Sequence, residues 1–300
     1  MFEGTAYIEG LEASDKLFFD LDGNVSTTFP FVGTHLVQNG SWIASDGVLG
    51  LGRGENGQSQ TIDTLYNASL ISDRMFTLSL GNPNAESDLV IGGIPDHIPY
   101  ENITWNTVTE PEYWNLKLYQ MDFNDMIEKK QYAKKVSFST LNQVLLPQKD
   151  FDQWWAFVSR VQICGTFEHR PACYCNSITE FAHISFQFDR YEYILKPESY
   201  IDVIPGKDQN ICVFDIMGYQ NDETAPIVTL GLGFLRSFDV VFDLENGKIG
   251  IYSNQTGLVI DHGEHHGLSI TWDIVLGVLA FLFLVGVILL VFCLCKRRRE

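Results

Sequence analysis

The sequence predicts an all-β body over residues 1 to 256, of sandwich or barrel type, followed by one C-terminal transmembrane helix. Three observations predict it. Short apolar or alternating runs such as KLFFDL (16–21), MFTLSL (75–80), DLVIGG (88–93), HISFQF (183–188), YEYIL (191–195), DVVFDL (239–244) and KIGIY (248–252) are separated by Gly, Asn, Asp and Pro. That is the rhythm of strands and turns. ENGK, Glu245 to Lys248, sets an Asn-Gly pair between two such runs, a hairpin turn signal. The run IVLGVLAFLFLVGVILLVFCL, Ile274 to Leu294, is 21 residues without a charge. As a helix it spans roughly 30 Å, the thickness of a bilayer core.

With 300 residues, 45% hydrophobic and 13% aromatic, the chain is long and apolar enough to bury a substantial core. Its 38 acidic and 20 basic residues give a net charge of −18. Lys296 to Arg299 supply four of the positive charges at the extreme C-terminus, so the rest is more acidic still. A surface of that sign repels phosphate backbones and excludes nucleic acid as a partner.

Two helices interrupt the strands. SQTIDTLYNAS, Ser59 to Ser69, and PQKDFDQWWAFVSRV, Pro147 to Val161, carry apolar residues at helical spacing, the second opening on proline. In the second, Asp150 and Asp152 read as solvated helix residues. Residues 257–273 read as a juxtamembrane linker, with Trp272 as an interfacial anchor. His262, His265 and His266 in that linker have nothing to fix a ligand geometry, so no metal site is expected there.

The helix 274–294 should leave Lys296 to Arg299 cytosolic by the positive-inside rule and the preceding residues lumenal or extracellular. Five glycosylation sequons, at Asn24, Asn39, Asn67, Asn102 and Asn254, all fall before the span. Of six cysteines, Cys164, Cys173, Cys175 and Cys212 lie in the same part, an even number that fits two disulfides in an oxidising compartment. Zinc is the rival reading, although the spacing matches no compact ligand pair. Cys293 and Cys295 sit at the cytosolic membrane edge, as lipid-facing residues or palmitoylation sites. Met1 is followed by FEGTAYIEG, which has neither the basic start nor the apolar core of a signal peptide. Either insertion depends on the C-terminal span or the chain lacks its true beginning.

Several motifs occur in a fixed order: SDGVLGLG (45–52), LISDRMFTLSL (70–80), DLVIGGI (88–94), ITWNTVTEPEYWNL (103–116), ILKPESYI (194–201), ICVFDIMG (211–218) and VTLGLGFLRSFDVVFDLENGKIGIY (228–252). Together they resemble the pepsin-like aspartic proteases over nearly all of residues 1 to 252. The resemblance implies a bilobal acid-protease fold, two β-rich lobes facing each other across a cleft that takes extended peptide or protein. Residues 1–120 would be the remainder of the N-terminal lobe, including its flap, and 121–256 the C-terminal lobe. Ahead of the membrane helix comes the linker 257–273, and behind it a cytosolic basic tail, 295–300. The resemblance also implies a disulfide between Cys175 and Cys212, leaving Cys164 and Cys173 as a second pair, and makes Asp46 a structural aspartate. It implies no cofactor and no metal.

Catalysis in this family needs two aspartates, one per lobe, that share a proton and hold a water between them, because two carboxylates that close cannot both stay ionised. FEGTAYIEG resembles the flap, with Phe2, Glu3, Gly4 and Thr5 in the substrate-binding stretch. Phe2, or Glu3 under a one-residue shift, takes the place of the flap tyrosine, and the first aspartate turn would lie upstream of it. Aligning Pro147 with the proline that follows the second turn puts Phe138, Ser139, Thr140, Leu141 and Asn142 where the family has Asp-Ser/Thr-Gly-Thr-Ser. Phe138 takes no proton from water, and Thr140 adds a branched side chain where glycine let the backbone approach. Ser139 has no evident basic partner that would make it a nucleophile. Further on, Gly231-Leu232 stands where Gly-Asp is usual.

The expectation is therefore a single-pass protein of the secretory or endolysosomal system or cell surface. It inherits the endopeptidase fold without a catalytic dyad in this chain. The alternatives are a pseudoprotease that binds extended polypeptide, or a structural membrane glycoprotein.

Overall fold

The computed structural model describes residues 7–18, 26–38, 48–81, 86–123, 130–140, 143–220, 227–253 and 257–262. Strands β1 (Tyr7–Phe18) and β2 (Ser26–Gln38) form a two-stranded antiparallel sheet. Helix α1 (Gln60–Asn67) then leads to β3 (Met75–Ser79), β4 (Asp88–Ile91) and β5 (Thr104–Thr107). Next come β6 (Leu116–Asp122), β7 (Lys130–Phe138), β8 (Val144–Pro147) and helix α2 (Gln148–Val161). The hairpins β9 (Cys164–Phe167) to β10 (Arg170–Cys175) and β11 (Ile184–Phe188) to β12 (Tyr191–Leu195) follow, then the single turn α3 (Pro197–Tyr200). The chain continues through β13 (Ile201–Ile204), β14 (Asn210–Phe214), β15 (Ile216–Tyr219) and β16 (Ile227–Leu230). Short helix α4 (Leu232–Ser237), β17 (Phe238–Asp243), β18 (Lys248–Ser253) and β19 (Leu258–Asp261) close the described part.

The strands pair into sheets of order β13-β14-β10-β9, β15-β8-β16-β7-β6-β11-β12-β19 and β4-β3-β17-β18-β5, besides the β1-β2 ribbon. The β-rich reading and the two predicted helices are found where the periodicity put them. The β17-β18 hairpin pairs Asp243 with Lys248, and its turn holds Gly247 at φ 60°, a left-handed conformation that favours glycine. Asn246 donates its backbone and side-chain N–H groups to the Asp243 carboxylate at 2.9 and 2.7 Å, which fixes the turn.

Helix α1 starts at Ser59, whose backbone N–H donates to the Asp63 carboxylate at 2.7 Å, while Arg74 pairs with Asp63 from the far side. Its inner face buries Thr61, Ile62 and Leu65. Helix α2 buries Asp150, Trp154 and Val158, one residue per turn, against the eight-stranded sheet. This corrects the reading of Asp150 as solvated. The residue is buried, and Lys134 on β7 forms an ion pair with it. A buried carboxylate requires such a partner, because its desolvation would otherwise cost several kcal/mol. Asp152 does face solvent, accepting from Gln148 at 2.8 Å.

The main core is aromatic. Phe186, Phe188, Tyr193, Phe214, Phe234 and Phe238 are all at least 99% buried. Phe234 packs tilted against Phe238 at 4.6 Å, and Trp154 meets Phe214 edge-on at 5.4 Å. The Tyr193 hydroxyl on β12 accepts from Asn106 Nδ2 at 2.8 Å and lies 2.8 Å from Thr104 Oγ1. Because Thr104 and Asn106 belong to β5, this polar cluster joins the five-stranded sheet to the eight-stranded one.

The chain divides into two units, Met1–Ile260 and Asp261–Glu300, of which the second is described only at Asp261 and His262. Among the described residues no helix is long and apolar enough to cross a membrane, and none form a cluster of metal ligands. The apolar run Ile274 to Leu294 lies outside the described residues, as do Trp272, His265, His266, Cys293 and Cys295.

Candidate active-site position

Strand β7 alternates a buried Val136 with a half-buried Phe138 at its last position. It runs parallel to β16, with Val136 beside Val228 and Phe138 beside Leu230. One residue later, the Ser139 N–H donates to the Leu230 carbonyl at 3.0 Å. Strand β8 lies on the other side of β16, where Leu145 pairs with Thr229. Strands β7 and β8 thus flank β16 on its two sides. Gly231 and Leu232, which follow β16, emerge at the same end of the sheet.

This geometry gives position 138 a fixed place. A side chain there is held by a central strand, next to the point where two connections leave the sheet. The Phe138 ring meets Phe234 of α4 at 5.9 Å and Phe242 of β17 at 5.8 Å, both edge-on. Both contacts lie in the favoured range for edge-to-face rings. Beneath it, Ser137 Oγ and Thr229 Oγ1 lie 3.2 Å apart and share a hydrogen bond between β7 and β16.

No carboxylate comes from the described residues between β7 and β8: Phe138 is aromatic, Ser139 and Thr140 are hydroxylic, Gln143 is an amide, and Gly231-Leu232 adds none. The buried and half-buried carboxylates with described partners are engaged elsewhere. Asp150 pairs with Lys134, and Asp215 is bound by Arg170 at 2.6 Å, which also reaches Asp202 at 2.9 Å. Asp239 faces His97 at 3.6 Å. Burial pushes the Asp215 carboxyl above its ordinary value, with Arg170 opposing the shift. Burial does the same to Asp239, against the pull of His97.

Leu141 and Asn142 lie outside the described residues, as do the flap stretch Phe2, Glu3, Gly4 and Thr5, and Asp46. Asn24, Asn39 and Asn254 do too, whereas Asn67 at the end of α1 and Asn102 are exposed. Cys175 is bonded to Cys212, and Cys164 to Cys173. Sequence reasoning missed Phe234 and Phe242, the rings that surround Phe138. They lie about a hundred residues further on, and no local pattern marks them as its neighbours.

A mostly-β, two-lobed fold with few helices is that of a pepsin-like protein. The chain belongs to the eukaryotic aspartyl protease family, whose sequence model matches residues 4–253. It is 23% identical over 219 residues to gastricsin of Rattus norvegicus, covering 69% of this chain and 53% of that protein. It is 23% identical over 257 residues to pregnancy-associated glycoprotein 2 of Bos taurus, covering 84% and 65% of the two chains. Chymosin of Camelus dromedarius is 23% identical over 259 residues, covering 83% and 64%. The chain thus spans between about half and two thirds of the length of these relatives.

Proposed function

We propose that this chain is a membrane-anchored pepsin-like protein that binds extended polypeptide in its cleft without cleaving it. The observation that carries the reading is Phe138. At the end of β7, where the family's chemistry requires a carboxylate that can take and return a proton, the chain supplies a ring packed into the core. A dyad with one such member has no second carboxyl to polarise the scissile carbonyl while the first activates water. The retained fold around the turn supports a surviving binding surface.

Anchoring rests on the uncharged run Ile274 to Leu294 with its basic flank, and the oxidising side of the membrane on the two disulfides and the exposed sequons at Asn67 and Asn102. In this reading residues 1–120 and 121–256 are the lobes, 257–273 the linker, and 295–300 a cytosolic tail. No cofactor takes part.

The test is fluorescence anisotropy of labelled extended peptide pools with the full chain in detergent, followed by mass analysis of the same peptides. The reading predicts saturable binding and intact peptide. Acid-optimal cleavage would replace it with an enzyme that uses an unorthodox second group, and the absence of binding to every pool would favour a structural membrane glycoprotein. Alkaline extraction of membranes checks the anchor separately, since an integral protein stays in the pellet.

A further inference from the structure

The two disulfides sit in unlike surroundings. Cys175–Cys212 joins β10 to β14 inside the four-stranded sheet, with its cysteines 2% and 0% exposed. Cys164–Cys173 joins directly opposed residues of the β9-β10 hairpin and closes a separation of only nine residues. Strand β9 is the edge of its sheet, held by β10 alone. Cys173 is buried at 2%, but Cys164 is only half-buried. A surface cavity of about 270 Å³ opens at this bridge, lined by both cysteines together with Ile163, Phe167, Tyr174 and Ile211. Its lining holds no charged side chain.

We propose that Cys164–Cys173 is a thiol-exchange site, opened selectively by a small neutral dithiol that enters this cavity, while Cys175–Cys212 stays closed. Exchange requires a thiolate to reach one sulfur along the S–S axis, so access decides which bridge reacts. Cys164 is the more exposed of the two residues, so its Sγ is the sulfur attacked. The dithiol's thiolate attacks it, a mixed disulfide forms, and the electron pair of the old bond leaves on Cys173 Sγ, which takes a proton from water. The second thiol of the reagent then attacks the mixed disulfide and releases Cys164 as a thiolate, which is protonated in turn. The protein gains two electrons and two protons, and the dithiol becomes its own cyclic disulfide. The absence of charge in the lining favours a neutral reagent over an anionic one, which the acidic chain also repels.

Opening this bridge frees an edge hairpin and leaves the sheet's interior stapled. A nine-residue loop also constrains the unfolded chain less than the 37-residue separation of the other bridge, so its loss is the better tolerated of the two.

The experiment is graded reduction of the full chain with dithiothreitol, trapping with a light alkylating agent, full reduction, labelling with a heavy one, and peptide mass analysis. Cys164 and Cys173 are expected to take the light label at least about tenfold faster than Cys175 and Cys212, as the access argument requires. Near-ultraviolet circular dichroism should be largely retained at the point where only the first pair has reacted. Equal rates for the two pairs, or earlier labelling of Cys175 and Cys212, would overturn the proposal. So would loss of the tertiary signal in step with the first labelling. A C164S/C173S double variant should leave the labelling rate of Cys175 and Cys212 unchanged. If that variant does not fold, the order of labelling in the native chain still decides the question.

Discussion

The ring of Phe138 meets the ring of Phe242 edge-on, with centroids 5.8 Å apart and planes at 88°. Phe138 ends β7 in the eight-stranded sheet and Phe242 belongs to β17 in the five-stranded one, so one aromatic contact joins the two sheets.

Replacing Phe138 by Asp therefore puts a carboxyl among rings. The loss of packing and the burial of a polar group should destabilise the chain by about 2 to 5 kcal/mol. Urea denaturation of the purified chain measures it, and F138L should cost clearly less.

The Lys134–Asp150 pair makes a second prediction. Both side chains are largely buried, at 14% and 6% exposure. Substituting Lys134 by Met takes the cation from a buried carboxylate and should cost about 3 kcal/mol, whereas K134M with D150L should recover much of the loss. A double-mutant cycle in urea reads both.

Tyr193→Phe removes the shorter of two acceptors of Asn106 Nδ2, which keeps the Thr104 carbonyl at 3.3 Å, and the hydroxyl beside Thr104 Oγ1. Because Thr104 Oγ1 also keeps its bond to the Ile251 carbonyl, the expected cost is that of a lost hydrogen bond, about 1 kcal/mol. The ring and its packing remain, so thermal unfolding should stay cooperative but begin earlier.

Asp239 makes a prediction about pH. Its carboxyl is raised above the ordinary value by burial, so the folded state holds that proton more tightly than the unfolded one. Its contribution is fully present below the ordinary carboxylate value of 3.8 and is lost as pH rises through the raised folded value. Asn at this position does not titrate. Compared with D239N, the native chain should therefore lose stability as pH climbs from that value towards neutrality, as denaturation midpoints at several pH values would reveal.

Much of the fold was legible because strands announce themselves through short alternating runs, and α2 through residues spaced one turn apart. Sheet partners were not. β3 pairs with β17, more than 150 residues away, and no local pattern encodes that contact. That position 138 is aromatic is plain in the sequence, but the direction of the Phe138 ring depends on Phe234 and Phe242. Asp150 misled for the same reason. Acids in a first helical turn usually face water, and Lys134 approaches from a strand sixteen residues earlier.

The most direct test of the central claim is to incubate the full chain and its F138D variant with an unfolded protein substrate across the acidic to neutral range, and to follow the fragments by mass spectrometry. The account predicts an uncut substrate with the native chain at every pH, while the same substrate is retained by the immobilised protein. Time-dependent peptide-bond cleavage by the native chain, strongest in acid and abolished by an active-site inhibitor of aspartic proteases, would contradict it.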